Sequence, residues 1–117
     1  MIAVENNRSD KNYKALKENL KILSNSYDEN GKKFKILKIP MPSPVVIDKT
    51  RVPASYLNFF IGNKKVLVPV FNVKEDKKVI KIFRKFFTNR EVIAIDCSDL
   101  IWGFGAIHCM TQQEPKI

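Results

Sequence analysis

Between Ser55 and Ile95 the order of hydrophobic patterns restricts what this chain folds into more than any other feature. Two β-rich runs, Ser55 to Ile61 and Lys65 to Phe71, are joined across Gly62-Asn63, a dipeptide suited to the positive φ angles of a tight hairpin. Pro69 weakens the second run or marks a bulge, because proline has no N–H to give a ladder. Asn72-Val73-Lys74-Glu75 then resembles a capping box that opens a helix to about Phe87. On that helix Val79, Ile80, Phe83, Phe86 and Phe87 share one face, while Lys77, Lys78, Lys81, Arg84 and Lys85 share the other. A short apolar strand, Glu91 to Ile95, closes the series. The order ββαβ predicts an α/β fold with mixed sheets and flanking helices.

The first forty residues hold a shorter version of the same order. Ser9 is a good N-cap, and Tyr13, Leu16, Leu20 and Leu23 follow at helical spacing to about Ser24. Asp28-Glu29-Asn30-Gly31 is turn chemistry, after which Phe34 to Ile39 reads as a strand. This helix-then-strand piece reads as the tail of a second unit, although no residue identities repeat. Residues 40–54, with Pro40, Pro42, Pro44 and Pro53, read as one long exposed proline-rich loop. A chain of 117 residues is expected to form a single domain over 1–117, burying roughly two-thirds of the surface its unfolded form exposes.

Composition excludes several functions. The net charge is +9, but only four of the basic residues are arginines and the lysines spread opposite apolar faces, so a solvated lysine-rich surface is favoured over a nucleic-acid partner. No stretch approaches the roughly 20 apolar residues of a membrane span, and Met1 to Glu5 turns polar too soon for a signal peptide. A cytoplasmic location and no membrane partner are the expectation. Cys97 and Cys109 stand without a C-x-x-C spacing beside a single histidine, which argues against a metal site and against a disulfide scaffold. No cofactor is expected.

The segment Gly103-Phe104-Gly105-Ala106-Ile107-His108-Cys109-Met110-Thr111-Gln112-Gln113 carries the strongest chemical signal. A cysteine just after two glycines can reach an electrophile that a packed strand would exclude, although a buried cysteine acting as a small hydrophobe is the commoner arrangement. The wording of this segment resembles the C-terminal signature of the agmatine deiminases, a branch of the guanidine-modifying penteins related to bacterial peptidylarginine deiminases. Asp10-Lys11-Asn12-Tyr13, Glu18-Asn19-Leu20, Pro53-Ala54-Ser55-Tyr56-Leu57-Asn58-Phe59-Phe60, Val68-Pro69-Val70-Phe71, Asn89-Arg90-Glu91-Val92 and Ile95-Asp96 resemble family text in family order. The resemblance covers roughly residues 10–115.

That resemblance implies a partial pentein, an α/β propeller fold, with about two ββαβ-type units. It implies Cys109 as the nucleophile that attacks a guanidinium carbon, with Gly103, Gly105 and Ala106 on the substrate side. Agmatine, or another small guanidine compound, is the implied substrate, with N-carbamoylputrescine and ammonia as products. Family members are roughly three times as long, and their carboxylates and catalytic histidine lie on upstream segments, so the chain resembles a C-terminal fragment that is inactive alone. His108 is read as structural, since neighbours on an extended segment point to opposite faces. Phe104 stands where the family usually has glycine, and Ala106 where it has glycine or asparagine. Cys97 is read as core. The apolar run Tyr56, Leu57, Phe59, Phe60 and Ile61 is expected to pair copies into a homo-oligomer or to meet a missing N-terminal portion of the fold. A non-catalytic remnant or interaction module is the alternative, and a basic nucleic-acid-binding protein the third.

Overall fold

The computed structural model describes residues 1–115; Lys116 and Ile117, at the end of the expected domain, lie outside the described residues. Where the sequence predicts one domain, the chain forms two compact units, the first Met1–Met41 and the second beginning at Pro42. The break falls inside Pro40-Met41-Pro42-Ser43-Pro44, whose prolines cannot donate to a continuous ladder.

The first unit is a βαβ element. Strand β1 (Ile2–Val4) pairs in parallel with β2 (Lys38–Pro40), Ala3 opposite Ile39, and helix α1 (Tyr13–Ser24) lies between them in the chain. Ala3 and Ile39 are buried, whereas no residue of α1 is. The helix starts later than Ser9 because the preceding residues use their polar groups in local turns. Ser9 N–H donates to Asn7 Oδ1 at 3.0 Å and Asn12 N–H to Asp10 Oδ1 at 2.8 Å, which competes with a helical start. Asn12 takes the N-cap position. The strand expected over Phe34 to Ile39 contracts to its end, and Phe34 is exposed.

In the second unit the proline-rich stretch is not a plain loop. Val46–Ile47 (β3) and Thr50–Arg51 (β4) form a small antiparallel hairpin, closed by Asp48 and Lys49 at φ 46 and 65. Prolines at 42, 44 and 53 flank this ladder and so cost it no donor. Next comes a three-stranded mixed sheet, β5 (Phe60–Ile61), β6 (Lys65–Val70) and β7 (Glu91–Asp96), with β6 central. β5 runs antiparallel to β6, and β7 returns parallel to it after helix α2 (Asp76–Phe86). This is the expected ββαβ unit with a first strand shorter than Ser55 to Ile61. The hairpin closes through Gly62 N–H to Lys65 O at 2.8 Å, and neither Gly62 nor Asn63 takes the expected positive φ. A two-residue β5 has little twist for a turn to match.

Pro69 is accommodated by parity. Glu91 N–H donates to Lys64 O and Cys97 N–H to Val70 O, so the even-numbered residues of β6 bond to β7. The nitrogen of Pro69 therefore faces the other way, past the last β5 pairing at Phe60↔Leu67, where no donor is needed.

Val66 and Val68 of β6, Val92 of β7, and Val79, Ile80 and Phe83 of α2 are buried together with Tyr56 and Phe71. Phe59 packs edge-on to Phe83, ring centroids 5.0 Å apart. Phe86 is the exception on the expected apolar face and is half exposed. Helix α2 has Glu75 at its N-cap, three residues beyond the Asn72 of the sequence reading, and the carboxylate that reaches back comes one residue later than expected. Asp76, not Glu75, reaches back: its carboxylate accepts Val73 N–H at 3.0 Å, Phe71 N–H at 3.2 Å and Tyr56 Oη–H at 2.6 Å. Glu75 instead accepts Ser43 N–H and Oγ–H, both at 3.1 Å.

Burial, and then the bond and charge of Asp76, push the Tyr56 phenol far above its ordinary value. In the unfolded chain it titrates near its ordinary pKa of about 10, so above that pH the folded chain holds a proton that the unfolded chain has lost. Stability is complete below about pH 10 and falls as pH rises beyond it. Urea midpoints measured from neutral to strongly alkaline pH should fall less steeply for Tyr56→Phe than for the unaltered chain; equal slopes would remove Tyr56 as the cause.

Candidate active site

The ladder of β7 ends with Cys97, whose N–H reaches Val70 O at 2.9 Å. Its thiol is fully buried, and burial followed by the charge of Asp96 pushes it above the ordinary thiol value. Asp96 itself accepts Ser98 Oγ–H at 2.6 Å, Ser98 N–H at 2.9 Å and Asn72 Nδ2–H at 2.8 Å, which holds its carboxyl below the usual range. Beyond this knot a 3-10 turn, Leu100–Gly103, anchors on buried Ile101.

Phe104 follows in the left-handed region at φ 60, the residue 63% exposed, which explains why a glycine is comfortable at that position. Gly105 has a separate steric requirement: a Cβ there would lie 2.8 Å from Cys109 Cβ and 3.2 Å from its Sγ. Ala106 and Ile107 are buried, and a second 3-10 turn, His108–Met110, carries Cys109 into solvent. The segment expected to be extended is therefore a tight turn. Isolated 3-10 turns leave no hydrophobic periodicity for a sequence reading to detect.

Asn58 holds this turn. Its Oδ1 accepts Cys109 N–H at 3.1 Å, its main-chain oxygen accepts His108 N–H at 3.1 Å, and its Nδ2 donates to Cys109 Sγ at 2.9 Å. The Asn58 bond first, then the Ala106 N–H, draw the Cys109 thiol below its ordinary value, against a smaller opposing effect of burial. Both causes are dipoles and neither is a formal charge.

Of the residues singled out in sequence, the structure brings Cys109, Gly105 and Ala106 together and leaves Gly103 apart, exposed with open space where a Cβ would stand. Gly105 and Ala106 turn their contacts toward the cysteine itself. His108 lines a hollow of about 220 Å³ with Leu57, Phe59, Ile61 and Gln113, and Cys109 is not in that lining. Asn58 has no role in the sequence reading, although one polar residue within an apolar run was the available signal. The run Tyr56 to Ile61 is less exposed than expected: Tyr56 is buried, Phe59 is packed on α2, and Ile61 alone of the run is strongly exposed. Large exposed apolar side chains sit instead around the cysteine segment, at Trp102, Phe104 and Met110.

Among the described residues no group of three or more His, Cys, Asp or Glu side chains is placed to hold a metal ion, and no helix is long and apolar enough to cross a membrane. A family model described as Porphyromonas-type peptidyl-arginine deiminase matches residues 1–115. The chain belongs to this family. Within the Porphyromonas-type peptidyl-arginine deiminase family and its relatives, an agmatine deiminase of Medicago truncatula is 30% identical over 137 aligned residues, taking in 100% of this chain and 37% of that protein. A crystal structure from Porphyromonas gingivalis superimposes with a TM-score of 0.94 at 32% identity, covering 97% of this chain and 34% of that one. The agmatine deiminase of C. jejuni, solved with substrate bound, superimposes with a TM-score of 0.75 at 27% identity, over 91% of this chain and 30% of its own. The deiminase-family chain thus has the expected partial pentein fold, and it spans about a third of the length of the relatives it matches.

The contrast between the two thiols gives a direct test. In the native family member, iodoacetamide should label Cys109 at least tenfold faster than Cys97, since one is an exposed thiol drawn toward thiolate and the other has no solvent contact. Peptide mass spectrometry reads the ratio, and equal labelling would contradict the placement of Cys97 behind β7.

Proposed function

We propose that this chain is the cysteine-bearing part of an agmatine deiminase-like hydrolase and that Cys109 is its nucleophile. The supporting observation is the Cys109 turn: an exposed thiol, held by Asn58 and drawn toward its thiolate, in the segment whose wording matches the family. In this reading the Cys109 sulfur forms a bond to the guanidinium carbon of agmatine and a carbon–nitrogen bond breaks, releasing ammonia. Water then adds to the same carbon, the carbon–sulfur bond breaks, and N-carbamoylputrescine leaves with the thiol restored. Gly105 would let the chain pass close beside the Cys109 sulfur, and His108, facing a different hollow, is structural. An exposed working thiol fits the reducing cytoplasm.

Two dipoles lower a thiol but do not hold a cation or move a proton to a leaving amine, so in this reading the carboxylates and the acid–base group are supplied from outside residues 1–115. One observation favours a second reading, a remnant that keeps the fold without the chemistry: Phe104 projects into solvent from a left-handed position. Purified chain with saturating agmatine should release neither ammonia nor N-carbamoylputrescine. A chimera in which residues 1–115 replace the corresponding third of an active relative should turn over agmatine and lose this with Cys109→Ser. A folded chimera that binds agmatine yet stays inert supports the remnant, and Cys109-dependent turnover by the chain alone contradicts the division of labour.

For partners we propose self-association as a two-fold dimer, using the exposed Trp102, Phe104 and Met110 rather than the largely covered run Tyr56 to Ile61. Sedimentation at micromolar concentration should show a dimer that Trp102→Asp converts to monomer. A well-behaved monomer of the unaltered chain across that range would rule this out.

A further inference from the structure

Asn58 lies between Leu57 and Phe59 in an apolar run, where a carboxamide is out of character unless it has specific partners. It has three. Its main-chain oxygen and both ends of its side chain bond to His108 and Cys109, fifty-one positions away from it in the latter case. The orientation of the carboxamide is dictated by chemistry. A backbone N–H only donates, so the Cys109 N–H requires oxygen at the near end, and the amide nitrogen is left facing Sγ. The sulfur is the acceptor in that bond, and an anionic sulfur accepts more strongly than a thiol.

Resting on the reading of Cys109 as the nucleophile, we propose that Asn58 is a positioning residue for it, fixing its main chain and directing one N–H onto the sulfur so that the thiolate is favoured. The geometry explains why the residue is Asn. Aspartate keeps the shape and the bond to Cys109 N–H but turns a second negatively charged oxygen toward the sulfur. Glutamine carries an extra methylene and overshoots a sulfur that is already at hydrogen-bond distance. Serine cannot reach both the N–H and the Sγ of Cys109. The direction in which the Cys109 thiol is shifted agrees, with the Asn58 bond as the first cause.

The expected effect combines two opposing trends. For each unit by which a variant raises the thiol pKa, the thiolate present near neutral pH falls about tenfold while its intrinsic nucleophilicity rises roughly threefold, a net loss of about threefold. The test is the pH profile of Cys109 alkylation by iodoacetamide in the full chain, with Cys97 resolved separately by peptide mass spectrometry and folding checked by circular dichroism. In the native chain the profile should have its midpoint below that of the same thiol in denaturant. Asn58→Ala should raise the midpoint, and the isosteric Asn58→Asp should raise it further. A native midpoint equal to the denatured one overturns the proposal without any variant. So does a folded Asn58→Asp with an unmoved midpoint, which is what a purely structural role predicts. Where Asn58→Ala does not fold, Asn58→Asp and the native-against-denatured comparison carry the test. Alkylation needs no turnover, so failure here leaves the hydrolase reading standing, and an inert chimera leaves the role of Asn58 standing.

Discussion

A parallel strand pair cannot be closed by a hairpin, so the six-residue pairing of β6 with β7 obliges the chain to leave the sheet after Val70, cross over and return at Glu91. Everything near the cysteine depends on that excursion. The Asp76 carboxylate accepts Phe71 and Val73 N–H groups just where β6 ends, which satisfies the donors of the turn leading into α2 and ties the first residue of the helix to that turn. Phe83 and Val79 of α2 are then buried, as are Val66 and Val68 of β6, and fully burying Phe83 contributes about 2–3 kcal/mol. Because β5 runs opposite to β6, the residues before β5 lie at the carboxyl end of the parallel pair. Asn58 is therefore at the same end of the sheet from which Cys97 leads the chain toward Cys109, and open α/β sheets place ligands at that end.

How legible this was depended on range. The alternation of apolar and polar residues is local, so α1, α2, β6 and β7 are readable from their own segments. Strand β1 is three residues long and makes sense only beside Lys38–Pro40, a partner that no local window contains. The β3–β4 hairpin hides among prolines because Asp48 and Lys49, not glycines, take its positive φ angles. At the site, Cys109 and Gly105 were legible as a cysteine after glycines. Asn58 was not, because its purpose lies in bonds across fifty-one positions. The carboxylate that reaches back before α2 was misplaced by one for a smaller reason: Glu75 and Asp76 both carry carboxylates, and only the structure shows which one Ser43 engages.

The two thiols illustrate how one short stretch of chain separates a buried cysteine from an exposed one. Cys97 is pushed up by burial and by the adjoining Asp96 charge, which together suppress its thiolate. Cys109 is drawn down by the Asn58 N–H and the Ala106 N–H. Dipoles act at contact range and leave the local net charge unchanged, so the surroundings of the sulfur gain no repulsion toward a cation. A histidinium or lysine at Sγ would lower the thiol further but would also repel a guanidinium. For a site proposed to receive a cation, activation by neutral donors is the arrangement that avoids this conflict.

Phe104 is where that arrangement is least settled. A non-glycine residue in the left-handed region costs roughly 1–2 kcal/mol, while glycine in place of a side-chain-bearing residue costs about 0.5–1 kcal/mol in chain entropy, so the phenylalanine is net strained in its present position. The ring does not offset this through packing, since most of it is in solvent. Strain of this kind persists only where neighbours over-determine the backbone. Here the neighbours are identifiable: Ile101 is buried on one side, Ala106 and Ile107 on the other, and Gly105 must stay flush against Cys109. The fold holds the segment in the shape that the cysteine requires even with an unfavourable residue in the middle of it. An exposed aromatic ring at that position therefore adds nothing to the chain's own packing, and the shape of the segment is set by the residues on either side of it.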